Sequence, residues 1–137
     1  MRISRQSDGA RQAVRRSETF TGTVWGEPLL EDVPGTTVNS VLFSPAARTH
    51  WHRHEGGQIL HVTDGQGKVR ARGGEEVIVG AGDTIWIPPG EEHYHGADLD
   101  RFFVHTSISF GSTDWLEPVS DQEYGAGSEF GVGGLSP

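Results

Sequence analysis

The chain contains no cysteine, which excludes disulfide bonds and thiolate metal sites. Any bound metal must therefore be held by histidine, amide or carboxylate side chains. The chain also lacks a run of roughly 18 or more apolar residues, and its N-terminus has no apolar segment of the signal-peptide kind. We therefore expect a soluble, cytoplasmic protein with no membrane partner.

Positive charge is scarce. The sequence has 11 Lys and Arg against 19 Asp and Glu, for a formal net charge of −8. Nucleic acid is bound through clustered Lys and Arg, so this balance excludes it as an expected partner. Five arginines fall within residues 1–17. This segment is predicted to be a basic, flexible arm that is solvated or packs on another subunit.

Patterns with helical periodicity are also scarce, whereas the 137 residues include 20 glycines and 7 prolines. Short β-rich runs separated by these residues predict an all-β single domain, a double-sheet jelly roll, over residues 18–124. Within it, Asp64-Gly65 predicts a hairpin turn between strands at 58–63 and 67–72. One turn of helix is expected within residues 114–124, followed by a Gly-rich disordered tail over 125–137.

Histidines are concentrated in two short stretches. His52 and His54 are two residues apart on a predicted strand, so both side chains point to the same face. Gln58 begins the next strand after a glycine turn, and His93 follows Pro88-Pro89-Gly90. Three imidazole nitrogens and an amide oxygen suit a divalent transition metal such as Mn, Fe, Ni, Zn or Co.

These residues resemble the two sequence motifs of the cupin family. The first is His52-x-His54-x3-Gln58-x6-Gly65, and the second is Gly82-x5-Pro88-x-Gly90-x2-His93. The resemblance implies a cupin β-barrel, or double-stranded β-helix. Between residues 20 and 124 the chain also resembles the bacterial cupins that include the manganese-dependent hydroxynitrile lyases, through the segments Phe20-Thr21-Gly22-Thr23-Val24, Gly90-Glu91-Glu92-His93 and Asp114-Trp115.

The narrower resemblance implies a small-molecule lyase that cleaves or forms cyanohydrins, with manganese held by His52, His54, Gln58 and His93. It also implies an acid and base role for His105, and imidazole is suited to proton transfer near neutral pH. His95 shares the face of His93 by strand alternation and is a possible helper, or else a histidine at the rim of the cavity.

Two alternatives from other classes stay open. With iron, the same site would suit a quercetinase-like dioxygenase. The other alternative is a non-catalytic protein that binds a small molecule in this site. On the strand predicted at 101–110, one face carries His105 and two serines and could line a polar cavity. The opposite face is almost wholly apolar, which predicts packing between sheets or in a homodimer or homotetramer.

Overall fold

A computed structural model describes residues 1–7 and 11–126, which form twelve strands and one short helix. The strands are β1 (Val14–Arg16), β2 (Phe20–Thr21), β3 (Val24–Val33), β4 (Thr36–Phe43), β5 (Arg48–Thr49), β6 (His52–His54), β7 (Gln58–Ala71), β8 (Val77–Gly80), β9 (Thr84–Ile87), β10 (His93–Ala97), β11 (Phe103–Phe110) and β12 (Thr113–Trp115). The helix, α1, spans Asp121–Tyr124. No helix among these residues is long and apolar enough to cross a membrane.

The strands form a nearly closed β-barrel with the order β1-β3-β4-β11-β7-β10-β5-β2. The first half of β7 pairs with β11 and β9, and its second half pairs with β10 and β8. This one long strand therefore joins the two sheets. The all-β double-sheet fold predicted from the glycine and proline spacing is confirmed.

The hairpin predicted at Asp64-Gly65 is wrong, because β7 continues through these residues to Ala71. Gly65 has a φ of 75°, and a side chain there would clash with the backbone oxygen of Phe102. The pairing of β7 with β11 shifts register just before this pair, between Val62 and Asp64. An Asp-Gly pair supplies a positive φ next to a β-bulge within a strand as readily as in a turn.

Part of the segment expected to be a flexible arm belongs to the sheet. Val14–Arg16 form β1, which pairs antiparallel with β3 at the edge of the barrel. Such pairing satisfies backbone groups that an edge strand otherwise leaves open. Residues 127–137 of the predicted tail lie outside the described residues. The helical turn expected within 114–124 is confined to α1, where Ser120 and Glu123 form a capping box.

The inner face of the barrel combines an apolar core with a polar wall. The core includes Val24, Phe43, Leu60, Val62 and Phe103, each with no exposed surface. On β11 the residues alternate strictly between buried and half-buried positions. The buried set contains His105 and both serines, so the predicted polar face of this strand lines the interior.

Candidate metal centre

Six predicted site residues come together inside the barrel, although β6, β7, β10 and β11 supply them. Each of the six side chains is at most 4% exposed. Strand pairing explains the convergence, because His93 on β10 lies opposite His52 on β6, and Ser109 on β11 lies opposite Gln58 on β7. The six residues are His52, His54, Gln58, His93, His95 and His105.

Hydrogen bonds orient the imidazoles of His52 and His93. The Nδ1 atom of His52 lies 2.9 Å from the backbone oxygen of His50, and Nδ1 of His93 lies 2.9 Å from that of Glu91. A carbonyl oxygen can only accept, so each Nδ1 carries the proton and donates it. Each Nε2 is then left with a lone pair, which is the form that binds a metal.

His54 is held in a similar way by a residue that the sequence reasoning missed. Its Nδ1 lies 2.9 Å from the hydroxyl oxygen of Thr113 on β12, and its Nε2 is buried without a hydrogen-bond partner. The pairing of Thr113 with His54 across β12 and β6 makes this contact possible. The sequence offered no signal for it, because no strand was predicted at Thr113–Trp115.

Gln58 is oriented by Ser109. Its Nε2 donates to the hydroxyl of Ser109 at 3.0 Å, and its Oε1 lies 3.0 Å from Nε2 of His93. Because the proton of His93 is on Nδ1, this arrangement brings two hydrogen-bond acceptors together without a proton between them. A bound cation would satisfy both atoms, so the donor set fits a metal ion.

Burial keeps the imidazoles neutral. It is the largest cause that lowers the pKa of His54 and of His93 to about 4 and that of His105 to about 3. The pKa values of His52 and His95 are lowered well below the ordinary range, first by burial and then by neighbouring histidines. At neutral pH the cavity therefore presents uncharged imidazoles, as metal ligation requires.

The most compact histidine group is His52, His93 and His95, whose ligand atoms lie within 4.8 Å of one another. These three residues could hold a metal ion. The predicted set shares His52 and His93 with this group and adds His54 and Gln58 in place of His95. His95, expected as a helper or as a histidine at the rim of the cavity, thus belongs to a group that could hold the metal, and its role in the reaction stays a prediction.

His95 and His105 form a buried pair. Nε2 of His105 lies 3.0 Å from Nδ1 of His95, so one of these nitrogens carries a proton and donates it to the other. Nε2 of His95 and Nδ1 of His105 have no hydrogen-bond partner. Through this contact His95, a member of the histidine cluster, meets His105. The ring of His105 packs against Phe43 and Phe103.

The two remaining histidines lie outside the cluster. His61 is exposed and hydrogen-bonds Thr84 on the outer surface. His50 is half-buried, and its backbone oxygen accepts the bond from His52. Trp115 stacks on His52 with ring centroids 4.6 Å apart.

A cavity of about 600 Å³ is lined by four histidines of the cluster and its neighbour, His52, His54, His95 and His105. This volume falls in the range of small-molecule sites. The walls nearest to β4 and β11 carry neutral side chains, and the mouth carries residues of β1 and of the loop after it. The wall residues are Thr37, Asn39, Val41, Ser107 and Ser109. A histidine cluster that could hold a metal ion, beside a cavity of this size, defines a candidate small-molecule site inside a jelly-roll barrel.

The chain belongs to the cupin family. Residues 39–101 match the family described as Cupin domain. The chain is 38% identical over 129 residues to an (R)-mandelonitrile lyase from Granulicella tundricola, in a match that covers 90% of this chain and 95% of the relative.

A solved structure agrees with this assignment, and a second relative has a different name. A cupin-like protein from Thermotoga maritima is 43% identical, with a TM-score of 0.80 over 86% of this chain and 95% of that one. An MmsAB operon regulatory protein from Pseudomonas aeruginosa is 34% identical over 98 residues, in a match that covers 66% of this chain and 31% of the regulator. The chain is thus similar both to an enzyme and to a part of a regulatory protein.

Proposed function

We propose that this cupin is a metal-dependent lyase that cleaves small cyanohydrins to a carbonyl compound and cyanide, and catalyses the reverse addition. The similarity to a mandelonitrile lyase over nearly the whole chain supports the reaction class. The buried pair of His95 and His105 beside the histidine cluster carries the proposal, because cyanohydrin cleavage requires one proton to leave a hydroxyl and to reach cyanide.

A divalent ion, for which we propose manganese, would be held by His52, His54, Gln58 and His93 with His95 adjacent, and would supply Lewis-acid polarisation of an oxygen. The chain's own residues bind and orient the substrate around it. The neutral wall of the cavity accommodates the carbon skeleton, and the low exposure of the site side chains limits the water that would compete for the proton.

In the cleavage direction, the imidazole of His105, which lines the cavity, accepts the hydroxyl proton of the substrate. The electron pair of the broken O–H bond forms the carbonyl double bond, and the C–C bond to the nitrile breaks so that cyanide leaves with its electron pair. The contact of 3.0 Å between Nε2 of His105 and Nδ1 of His95 orients the ring. Because burial disfavours the charged imidazolium, His105 then returns the proton to cyanide.

The test is cleavage of mandelonitrile by manganese-loaded protein, with wild type compared with His105→Ala. We expect the variant to lose a factor of about 10² to 10⁴ in kcat while it keeps its metal, because the proton carrier is removed and the ligands remain. His61→Ala, which removes an imidazole from the outer surface, is the matched control and should retain activity. Full activity in His105→Ala, or no cleavage by the loaded wild type, would contradict the proposal; oxygen uptake by iron-loaded protein would then support a dioxygenase.

A further inference from the structure

An arginine faces into the mouth of the cavity. Arg16 on β1 is paired with Val24 on β3, and Val24 and Gly26 are the buried positions of that strand whereas Trp25 is exposed. Arg16 therefore lies on the inner side of the sheet, and it lines the cavity. A basic residue in this place is not needed to close the barrel, since β1 is an edge strand.

Gly26 makes room for the guanidinium. A Cβ atom at Gly26 would lie 2.5 Å from Nε of Arg16 and 3.0 Å from its Nη2. The planar group thus rests directly on the backbone of β3, which fixes its position over the inner face. Any side chain at position 26 would displace it.

This guanidinium has no partner among the described residues: no hydrogen bond or ion pair joins it to any of them. Glu18 is the one carboxylate residue in the described lining of the cavity, and it is exposed and does not bond Arg16. Arg15 also reaches the mouth. The positive charge of Arg16 is therefore available to a ligand.

Strand register places this charge relative to the proton-transfer pair. Gly26 on β3 lies opposite Val41 on β4, and Val41 lies opposite His105 on β11. Neighbouring strands are about 4.8 Å apart, so the backbones of Gly26 and His105 are separated by roughly 10 Å on one face of the sheet. The wall between them is apolar or neutral, as at Val41.

We propose that Arg16 binds a carboxylate at the far end of the substrate, so that the cavity selects small hydroxy compounds with an anionic group remote from the reacting carbon. An arginine binds a carboxylate through two parallel N–H donors, and partial burial strengthens the pair. This inference rests on the proposed function for the reaction at the other end. The binding of the anion does not depend on that reaction.

The first test measures binding by calorimetry, with metal-loaded protein and two probes, 4-(hydroxymethyl)benzoate and benzyl alcohol. Wild type is expected to bind 4-(hydroxymethyl)benzoate at least tenfold more tightly than benzyl alcohol. Arg16→Gln is expected to abolish this preference without weakening the binding of benzyl alcohol. Gly26→Ala keeps the charge but displaces the guanidinium, and it should also reduce the preference. Arg101→Gln removes an equal charge from an exposed residue outside the cavity, where it bonds Gln66, and should leave the preference intact.

The second test compares the cleavage of 4-carboxymandelonitrile with that of mandelonitrile. The ratio of the two kcat/KM values should fall about tenfold to a hundredfold in Arg16→Gln, as expected for the loss of a charge-assisted hydrogen bond. A binding preference for the carboxylate with no cleavage of either nitrile would overturn the lyase and support the Arg16 subsite. Equal binding of the two probes by wild type, or an unchanged preference in Arg16→Gln, would overturn the subsite whatever the cleavage.

Discussion

Acidification should unfold the metal-free protein over a narrow pH range. The perturbation is a change from pH 7 to pH 5 in the presence of a chelator. Five imidazoles are buried in one cavity, and burial lowers the pKa of each below the value of about 6.5 that histidine has in an unfolded chain. Between pH 6.5 and about 4 the unfolded chain therefore binds protons that the folded protein does not. Stability falls as the pH falls through this window.

The magnitude follows from the unfolded pKa. A pH of 5 lies about 1.5 units below the pKa of roughly 6.5 of a histidine in the unfolded chain. Protonation therefore stabilises the unfolded chain by about 2 kcal/mol for each such histidine. His54, His93 and His105, whose folded pKa values are about 4 or about 3, remain neutral in the folded protein at this pH. Together they give a loss of about 6 kcal/mol, and His52 and His95 add to it. The total free energy of unfolding of a domain of this kind is about 5–15 kcal/mol.

The assay is urea unfolding at pH 7, 6 and 5, followed by tryptophan fluorescence. His105→Leu removes one of the buried groups, so its loss of stability between pH 7 and pH 5 should be about 2 kcal/mol smaller than that of wild type. The cost of repacking cancels, because each protein is compared with itself. His61→Gln, which changes an exposed histidine, should keep the pH dependence of wild type.

Equal stability of the metal-free protein at pH 7 and pH 5 would refute this reasoning. It would mean that the imidazoles are solvated or charged in the folded protein. A pH dependence that His105→Leu leaves unchanged would instead refute the assignment of His105 to the buried neutral set.

Two further predictions concern the orientation of Gln58 and the outer surface. Ser109→Ala removes the acceptor of the Gln58 amide, so manganese affinity should fall about tenfold to a hundredfold in a chelator competition. Ser107→Ala, on the same face of the strand, should not change the affinity. Equal affinities in the two variants would exclude an orienting role for Ser109. Trp25, Leu42 and Val104 lie side by side on the outer face of three strands, and the first two are 42% and 38% exposed. We predict a homodimer or homotetramer in light scattering that Leu42→Glu dissociates, and a monomeric wild type would contradict it.

The fold and the residues of the candidate site could be predicted from the sequence because both depend on local rules. Strand alternation places His52 with His54 and His93 with His95, and all four side chains are buried inside the barrel. The same rule separates His105 from the apolar face of β11. These outcomes need only the parity of a residue on its strand.

Distances between strands could not be predicted in this way. Parity gives the face on which His95 lies, but only the pairing of β10 with β6 brings it close to His52. The bulge just before Asp64-Gly65 likewise depends on where the chain pairs next, because an Asp-Gly sequence suits both a turn and a continued strand.

The N-terminal segment is the clearest case of tertiary context that overrides composition. A polar stretch with several arginines has little apolar surface to bury, and on that ground it was expected to be flexible. It is ordered as β1 because β3 presents an open backbone edge, and pairing with that edge does not depend on side chains. Once the register is set, Arg16 must face inward and Gly26 must leave room for it. The residue that we propose to select the substrate is thus positioned by backbone pairing.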